Sequence, residues 1–227
     1  MDVRLISYSQ PSDIFVDYEQ DYREQLNNLQ ELIAFCARVS NPANQMNKET
    51  SAKLIKYLIK NAHWSPLEMV SACLEINSTR DIAHQIVRHR SFAFQEFSQR
   101  YANPEDMDED MFIHREARLQ DKKNRQNSIE INNPLLQDQW NAMQQRVIDQ
   151  SKLAYDWAIE NGIAKEQARV VLPEGNTKTR LYMNGTLRSW IHYIDLRGDN
   201  GTQKEHMEIA HACAKVISKI FPLMDEL

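Results

Sequence analysis

The spacing of apolar positions changes from one segment of the chain to the next, and each change marks an element. Val3 to Tyr8 (VRLISY) is a short apolar-rich run closed by the polar SQPSD, and it predicts a strand. Over 22–39, Leu26, Leu29, Ile33 and Cys36 recur at three- and four-residue spacing and predict a helix. SNPANQMN ends it, because the residue before a proline avoids helical geometry. KETSAKLIKYLIKNA (48–62) predicts a second helix with Leu54, Tyr57 and Leu58 on one face, stopping at HWSP. In LEMVSACLEINS (67–78), Val70, Ala72, Leu74 and Ile76 alternate, the period of a strand. STRDIAHQIVRHR (78–90) opens with capping residues and an acid in the first turn, then sets Ile82, Ile86 and His89 at helical spacing. Arg88 and His89 are therefore expected in the last turn of a helix, where the dipole favours cations.

SFAFQEFSQRY (91–101) has no single period; as a strand it aims Phe92, Phe94, Glu96, Ser98 and Arg100 to one face. Residues 102–135 are polar and irregular and read as a long solvated loop, of a length that often closes over a ligand. A long helix follows over 138–160, capped at Asn161-Gly162. AKEQARVVLP predicts a short helix stopped by Pro173, TKTRLYMNGT a strand, and LRSWIHYIDLR an amphipathic helix ending near Gly198. The last helix, TQKEHMEIAHACAKVISKIF, turns Ile209, Ala212, Val216 and Ile220 inward. Helices interspersed with strands in no regular alternation predict an α+β fold, one domain over 1–227 with a polar insertion at about 102–135.

Composition narrows the chemistry. The apolar fraction of 42% and charged fraction of 26% are ordinary for a soluble chain, and a net charge of −5 means that any basic function is local. No apolar run approaches bilayer length, and MDVRLISYSQP has no apolar core of the signal-peptide kind. Cys36, Cys73 and Cys213 sit among small apolar residues without metal-ligand spacing and read as buried, reduced thiols, so a cytoplasmic location and no metal or membrane partner are expected. His206 and His211, five apart, do not share a helix face as a metal pair would, and His84 is expected on the face of Arg88. Trp64, Trp140, Trp157 and Trp190 read as core, with Trp64 set apart by its neighbour His63. The five glycines stand at 162, 175, 185, 198 and 201, and neither GxGxxG nor GxxxxGK[ST] occurs. Phosphates must then be held by side chains, and fifteen arginines against twelve lysines supply forks that match their oxygens.

VRHRSFAFQEFSQRY (87–101) concentrates that capacity. Arg88, His89 and Arg90 have one nearby carboxylate, Glu96, so positive charge is left over for an anion. On residues alone three readings stand: a structural ion-pair network, a site for a phosphorylated ligand, or a nucleic-acid module pairing cations with stacked aromatics. The acidic EDMDED beside the cluster opposes the last, and nucleic acid is not expected as a partner. Arg-His-Arg, seven residues, then Ser, here Arg88, His89, Arg90 and Ser98, resembles the signature of the flavin-dependent thymidylate synthases. ARVS (37–40), HWSPLEM (63–69), QIVRHR (85–90), ARVVLP (168–173) and DLR (195–197) fall in that family's order, so the resemblance covers nearly the whole chain.

The resemblance implies a mixed helix and antiparallel-sheet domain, methylation of dUMP to dTMP with 5,10-methylenetetrahydrofolate, and FAD reduced by NADPH. It also implies a homotetramer with active sites shared between subunits. For FAD it implies His63, Ser65, Arg88, His89, Arg90 and Glu96, with Thr186, Leu187, Arg188 and His192 further along, and Ser40 as a neighbour. Some relatives carry asparagine where Thr186 and His192 stand. For dUMP it implies Gln85, Arg88, Glu96, Ser98, Gln99, Arg100 and Arg169, with Arg197 at the uracil ring, favouring ionisation at N3. A guanidinium suits that last role because it remains a cation and can stabilise a developing anion. Ser98 is expected to bind rather than attack, since no base is dedicated to it. A flavoprotein reductase that has lost methyl transfer is the enzymatic alternative. HREARLQDKKNRQN (114–127) is expected to close over the site.

Overall fold

The alternation around Leu74 builds the middle of a sheet. The computed structural model describes residues 2–12, 26, 28–107, 110–199 and 201–226. Strands β1 (Asp2–Tyr8), β2 (Ser71–Thr79), β3 (Ala93–Glu96) and β6 (Lys178–Thr186) form an antiparallel sheet in the order β1-β2-β6-β3. Ala72, Leu74, Ile76, Leu181 and Met183 point to one face and are buried there. The opposite face is polar: Arg4, Glu75 and Arg180 form an ion-paired row across β1, β2 and β6. A sheet with one dry face needs a helical cover, since each buried Leu or Ile contributes roughly 1.5–3 kcal/mol.

Seven α-helices are present among the described residues. In chain order they are α1 (Leu29–Ala37), α2 (Ser51–Lys60), α3 (Arg80–Ile86), α4 (Pro134–Glu160), α5 (Lys165–Ala168), α6 (Leu187–Arg197) and α7 (Lys204–Ile217). Trp190 and Tyr193 of α6 and Ile209, Cys213 and Ile217 of α7 join the sheet's dry face in the main core. A second cluster, Met111, Phe112, Ile148, Tyr155, Ala158, Ala168 and Leu172, lies under α4. The start of the expected first helix, at 22–25 and 27, lies outside the described residues.

Two helices end in the same way with different residues. Gly162, at φ 75°, follows α4 with Gly162 N–H bonded to Ile159 O and Ile163 N–H to Ala158 O. Ala62, at φ 56°, follows α2 with Ala62 N–H bonded to Ile59 O and His63 N–H to Leu58 O. Both are Schellman closures, but only glycine adopts the left-handed turn without a Cβ penalty. Gly185 serves a different need: a Cβ there would stand 2.4 Å from the Phe92 ring, so the bare backbone of β6 is what lets Phe92 settle. Phe92 is held there by Trp190, with ring centroids 4.8 Å apart and edge to face.

Several expectations are corrected. Helix α3 ends at Ile86, one turn early, so Arg88 and His89 sit in the turn beyond it; His84 faces Arg80 at 3.4 Å and Glu174 at 3.4 Å instead of Arg88. Strand β3 is four residues long, and only Phe94 and Glu96 share its inward side; Phe92 precedes it in a bend, and Ser98 and Arg100 follow it. On α2 the buried face is Ser51, Ile55 and Leu58, while Tyr57 is exposed. On α7, Ala212 is only half-buried, and the inward stripe runs through Ile209, Ala210, Cys213 and Val216. The polar segment is not one loop. It contains a hairpin of β4 (Arg118–Gln120) and β5 (Ser128–Glu130), and α4 begins at Pro134. Trp140 and Trp157 are exposed on α4, and Cys36 and Cys73 are half-buried rather than buried.

Candidate active site

Helix α6 carries candidate site residues at both ends and so spaces them by about 16 Å. At its start, Thr186 caps the helix by accepting from Ser189 N–H at 3.3 Å. Arg188 pairs with Glu68, and the exposed His192 lies against Trp64 with ring centroids 4.3 Å apart. That contact brings the exposed His63 and Ser65 of the HWSP turn beside α6. Tyr57 meets the His63 ring at 6.3 Å and also lines a depression of about 450 Å³ that includes Ser40. Of the positions the resemblance implies for the flavin, His63, Ser65, Thr186, Arg188 and His192 thus lie around the start of α6, whereas His89 lies at its other end and Glu96 beside Arg80. Leu187 is the exception in kind, because its side chain is fully buried and its backbone N–H is bonded to Val70 O at 3.0 Å.

At the other end of α6, Arg197 Nε donates to His89 Nε2 at 2.9 Å. A ring nitrogen that accepts must be unprotonated, so the contact requires neutral His89. Burial, followed by the charge of Arg197, holds the His89 ring below the usual histidine range. His206 of α7 is fully buried 6.3 Å from His89, and burial together with Arg197 and His89 pushes it down to about 3. Gln85 is bonded to His206 at 3.2 Å and to Gln203 at 2.8 Å, so it joins this end of the site.

A third group lies in a cleft of about 530 Å³ lined by Arg80, Gln99, Arg169 and Thr177 among others. Glu96 accepts from Arg80 at 2.7 Å and from the Thr179 hydroxyl at 3.0 Å. The carboxylate in the signature segment therefore neutralises Arg80, not Arg88 or Arg90. Among the described residues no carboxylate pairs with Arg88, Arg90 or Arg169, and both Arg88 and Arg90 are exposed. Gln99 is buried, and its Nε2 has no hydrogen-bond partner among the described residues. A buried donor without an acceptor costs ~1–3 kcal/mol. Arg100 stands at the rim, paired with Glu166 at 3.1 Å and stacked over Tyr101 at 5.9 Å. The Ser98 carbonyl accepts from Tyr101 and Ala102, and no histidine or carboxylate meets its hydroxyl among the described residues.

Burial raises all three cysteine thiols, so none is a ready thiolate nucleophile. Arg80, Tyr193, Gln203, Glu205 and His206, which the structure joins to the candidate site through hydrogen bonds, carried no clear signal of it in the sequence pattern. Arg80 did leave a trace, since a cation in the first turn of a helix opposes the dipole and asks for a local partner.

Comparison with known proteins adds the following. The family described as "Thymidylate synthase complementing protein" matches residues 23–223. The chain is 46% identical over 222 residues to a probable flavin-dependent thymidylate synthase of Paramecium bursaria Chlorella virus 1, covering 98% of this chain and 96% of that one. It is 49% identical over 222 residues to the flavin-dependent thymidylate synthase of Synechocystis sp., with the same 98% and 96% coverage. Its fold is similar to that of the UMP/dUMP methylase PolB from Streptomyces cacaoi, solved with 5-Br dUMP. That likeness has a TM-score of 0.77 at 22% identity and covers 99% of this chain and 92% of that chain.

Proposed function

The chain belongs to the flavin-dependent thymidylate synthases, and from that premise we propose that it methylates dUMP to dTMP with 5,10-methylenetetrahydrofolate as carbon donor. Bound FAD, reduced by NADPH, supplies the two electrons that bring the transferred carbon to the methyl level. The observation that carries this reading is the set of unsatisfied donors: Gln99 Nε2 buried without an acceptor, with Arg169 in the same cleft and Arg88 and Arg90 unpaired on the signature turn. Such donors fit the phosphate of a nucleotide and the pyrophosphate of FAD in a chain without a glycine-rich phosphate loop.

His63, Ser65, Arg188, His192 and the Thr186 end of α6 hold FAD, with Arg88, His89 and Arg90 toward its phosphates. Gln85, Ser98, Gln99, Arg100 and Arg169 hold dUMP. Glu96 belongs to both sets through its fixed pair with Arg80. Arg197 keeps its Nη groups for the uracil because Nε is spent on His89, and there it favours the N3 anion. The raised thiols leave the pyrimidine to be activated by this electrostatic field and not by a cysteine adduct.

The active protein is a homotetramer with sites shared between subunits. What supports assembly is α4, whose exposed Leu135, Trp140, Met143, Val147, Leu153 and Trp157 fall within an arc of about 140° at 100° per residue. An apolar face of that kind on one long helix marks a contact surface. The purified protein is expected to show flavin absorbance that changes on adding dUMP, and to oxidise NADPH in step with dTMP formation. A folded, oligomeric protein that stays colourless with added FAD sinks the reading.

A further inference from the structure

The start of helix α7 joins a chain of polar side chains of which the reaction as described uses only Gln85. Tyr193, His206, Gln85, Gln203 and Glu205 form a continuous chain, with contacts of 3.1 Å, 3.2 Å, 2.8 Å and 3.0 Å in that order. Its far end is a fixed charge. Glu205 is buried, lies in the first turn of α7, and is paired with Arg118 of β4 and, at 3.3 Å, with Arg115. Burial alone would raise its carboxyl, but a backbone N–H, the Arg115 and Arg118 charges and the Gln203 amide hold it below the usual carboxylate range.

An ionised carboxylate only accepts hydrogen bonds, and that single fact orders every link behind it. Gln203 must turn its amide nitrogen to Glu205 and its oxygen to Gln85. Gln85 must then donate Nε2–H to Gln203 and turn Oε1 to His206. His206 must carry its proton on Nδ1, which leaves Nε2 to accept from the Tyr193 hydroxyl. The reverse order would set an amide oxygen against a carboxylate. All donors therefore run one way, from the buried Tyr193 to Glu205.

We infer that Gln203 and Glu205 are positioning residues that lock the amide orientation of Gln85 toward dUMP, with Arg118 of the β4–β5 hairpin fixing the end of the chain. This rests on the proposed dUMP reading for Gln85, and it gives the polar insertion a part in the site. Gln85 is half-buried and has spent one amide hydrogen and one oxygen lone pair internally, which leaves one hydrogen and one lone pair for a ligand in a fixed order. A pyrimidine presents donors and acceptors in a fixed order too, so a flipped amide would be mispaired.

Two variants and one signal test the assignment. Gln203→Leu cuts the chain and leaves Glu205 with its arginines; Glu205→Gln keeps the shape but removes the charge that sets direction. Both are expected to raise the dUMP KM and the dUMP Kd, read from flavin absorbance, about tenfold or more, with FAD per chain near wild type. The melting temperature of Gln203→Leu stays near wild type, whereas Glu205→Gln, which takes a buried charge from two arginines, melts lower. A merely structural defect would instead lower FAD content in both variants and the melting temperature of Gln203→Leu. Both variants folded, with dUMP KM and Kd within twofold of wild type, overturn the inference. ¹⁵N NMR of labelled histidine in the wild-type holoenzyme reads His206 directly, with Nδ1 protonated and Nε2 bare as the expected pattern. The opposite tautomer overturns the inference even where a variant does not fold. Wild-type protein that makes no dTMP fails the functional proposal, whereas the tautomer still reports on the chain.

Discussion

Two neutral histidines make this fold sensitive to mild acid. His89 accepts from Arg197, and His206 is fully buried at the end of the same helix pair. Both have folded-state values below the ordinary ~6.5 of histidine, so the unfolded chain binds more protons below that value. Their contribution to stability is whole above about pH 6.5 and is lost as the pH falls below it. For His206 the loss continues toward about pH 3. The slope per histidine approaches ~1.4 kcal/mol per pH unit. Melting temperatures between pH 7.5 and 5 should fall, and His89→Asn should flatten part of the fall; an unchanged slope in that variant removes His89 from the account. At the same scale, Gly185→Ala must displace the Phe92 ring and the signature turn behind it. It should cost ~1–3 kcal/mol as an overpacked site. A denaturation midpoint equal to wild type, with full FAD content, would refute this.

At the scale of elements, the paired helix ends offer an internal comparison. Ala62 and Gly162 close α2 and α4 with the same two hydrogen bonds, yet alanine pays a left-handed strain of roughly 1–2 kcal/mol. Ala62→Gly should stabilise by up to ~1 kcal/mol after the entropy that glycine costs, and Gly162→Ala should destabilise by a similar amount. Chemical denaturation of the two variants decides it, and shifts of the same sign would contradict the reading. Legibility in the sequence also divides by element. β2 and β6 were readable because one dry face imposes a strict period of two. The β4–β5 hairpin was not, because Leu119 and Ile129 are exposed and its hold on the fold is ionic. Lys204 reaches Glu116 and Glu130, and Arg118 reaches Glu205, across separations that no local pattern records. For the same reason the signature marked Glu96 but could not show that Arg80 is its partner.

The whole molecule presents its oddest surface on α4, a helix of 27 residues and about 40 Å. One side, with Ile148 and Tyr155, is core; a second carries Asp138, Asp149, Lys152 and Asp156; the third is the exposed apolar arc. Charge placed in that arc, as in Val147→Glu with Trp157→Glu, should break the proposed tetramer into smaller species, measured by light scattering, and lower activity with it. An intact tetramer in the double variant would place the contact surface elsewhere. If the arc is a subunit contact, mass action governs the enzyme: dissociation exposes the helix, separates shared sites, and makes the melting temperature depend on protomer concentration. Dilution alone would then act as a reversible inhibitor, and specific activity would rise with the amount of enzyme in the assay before levelling off.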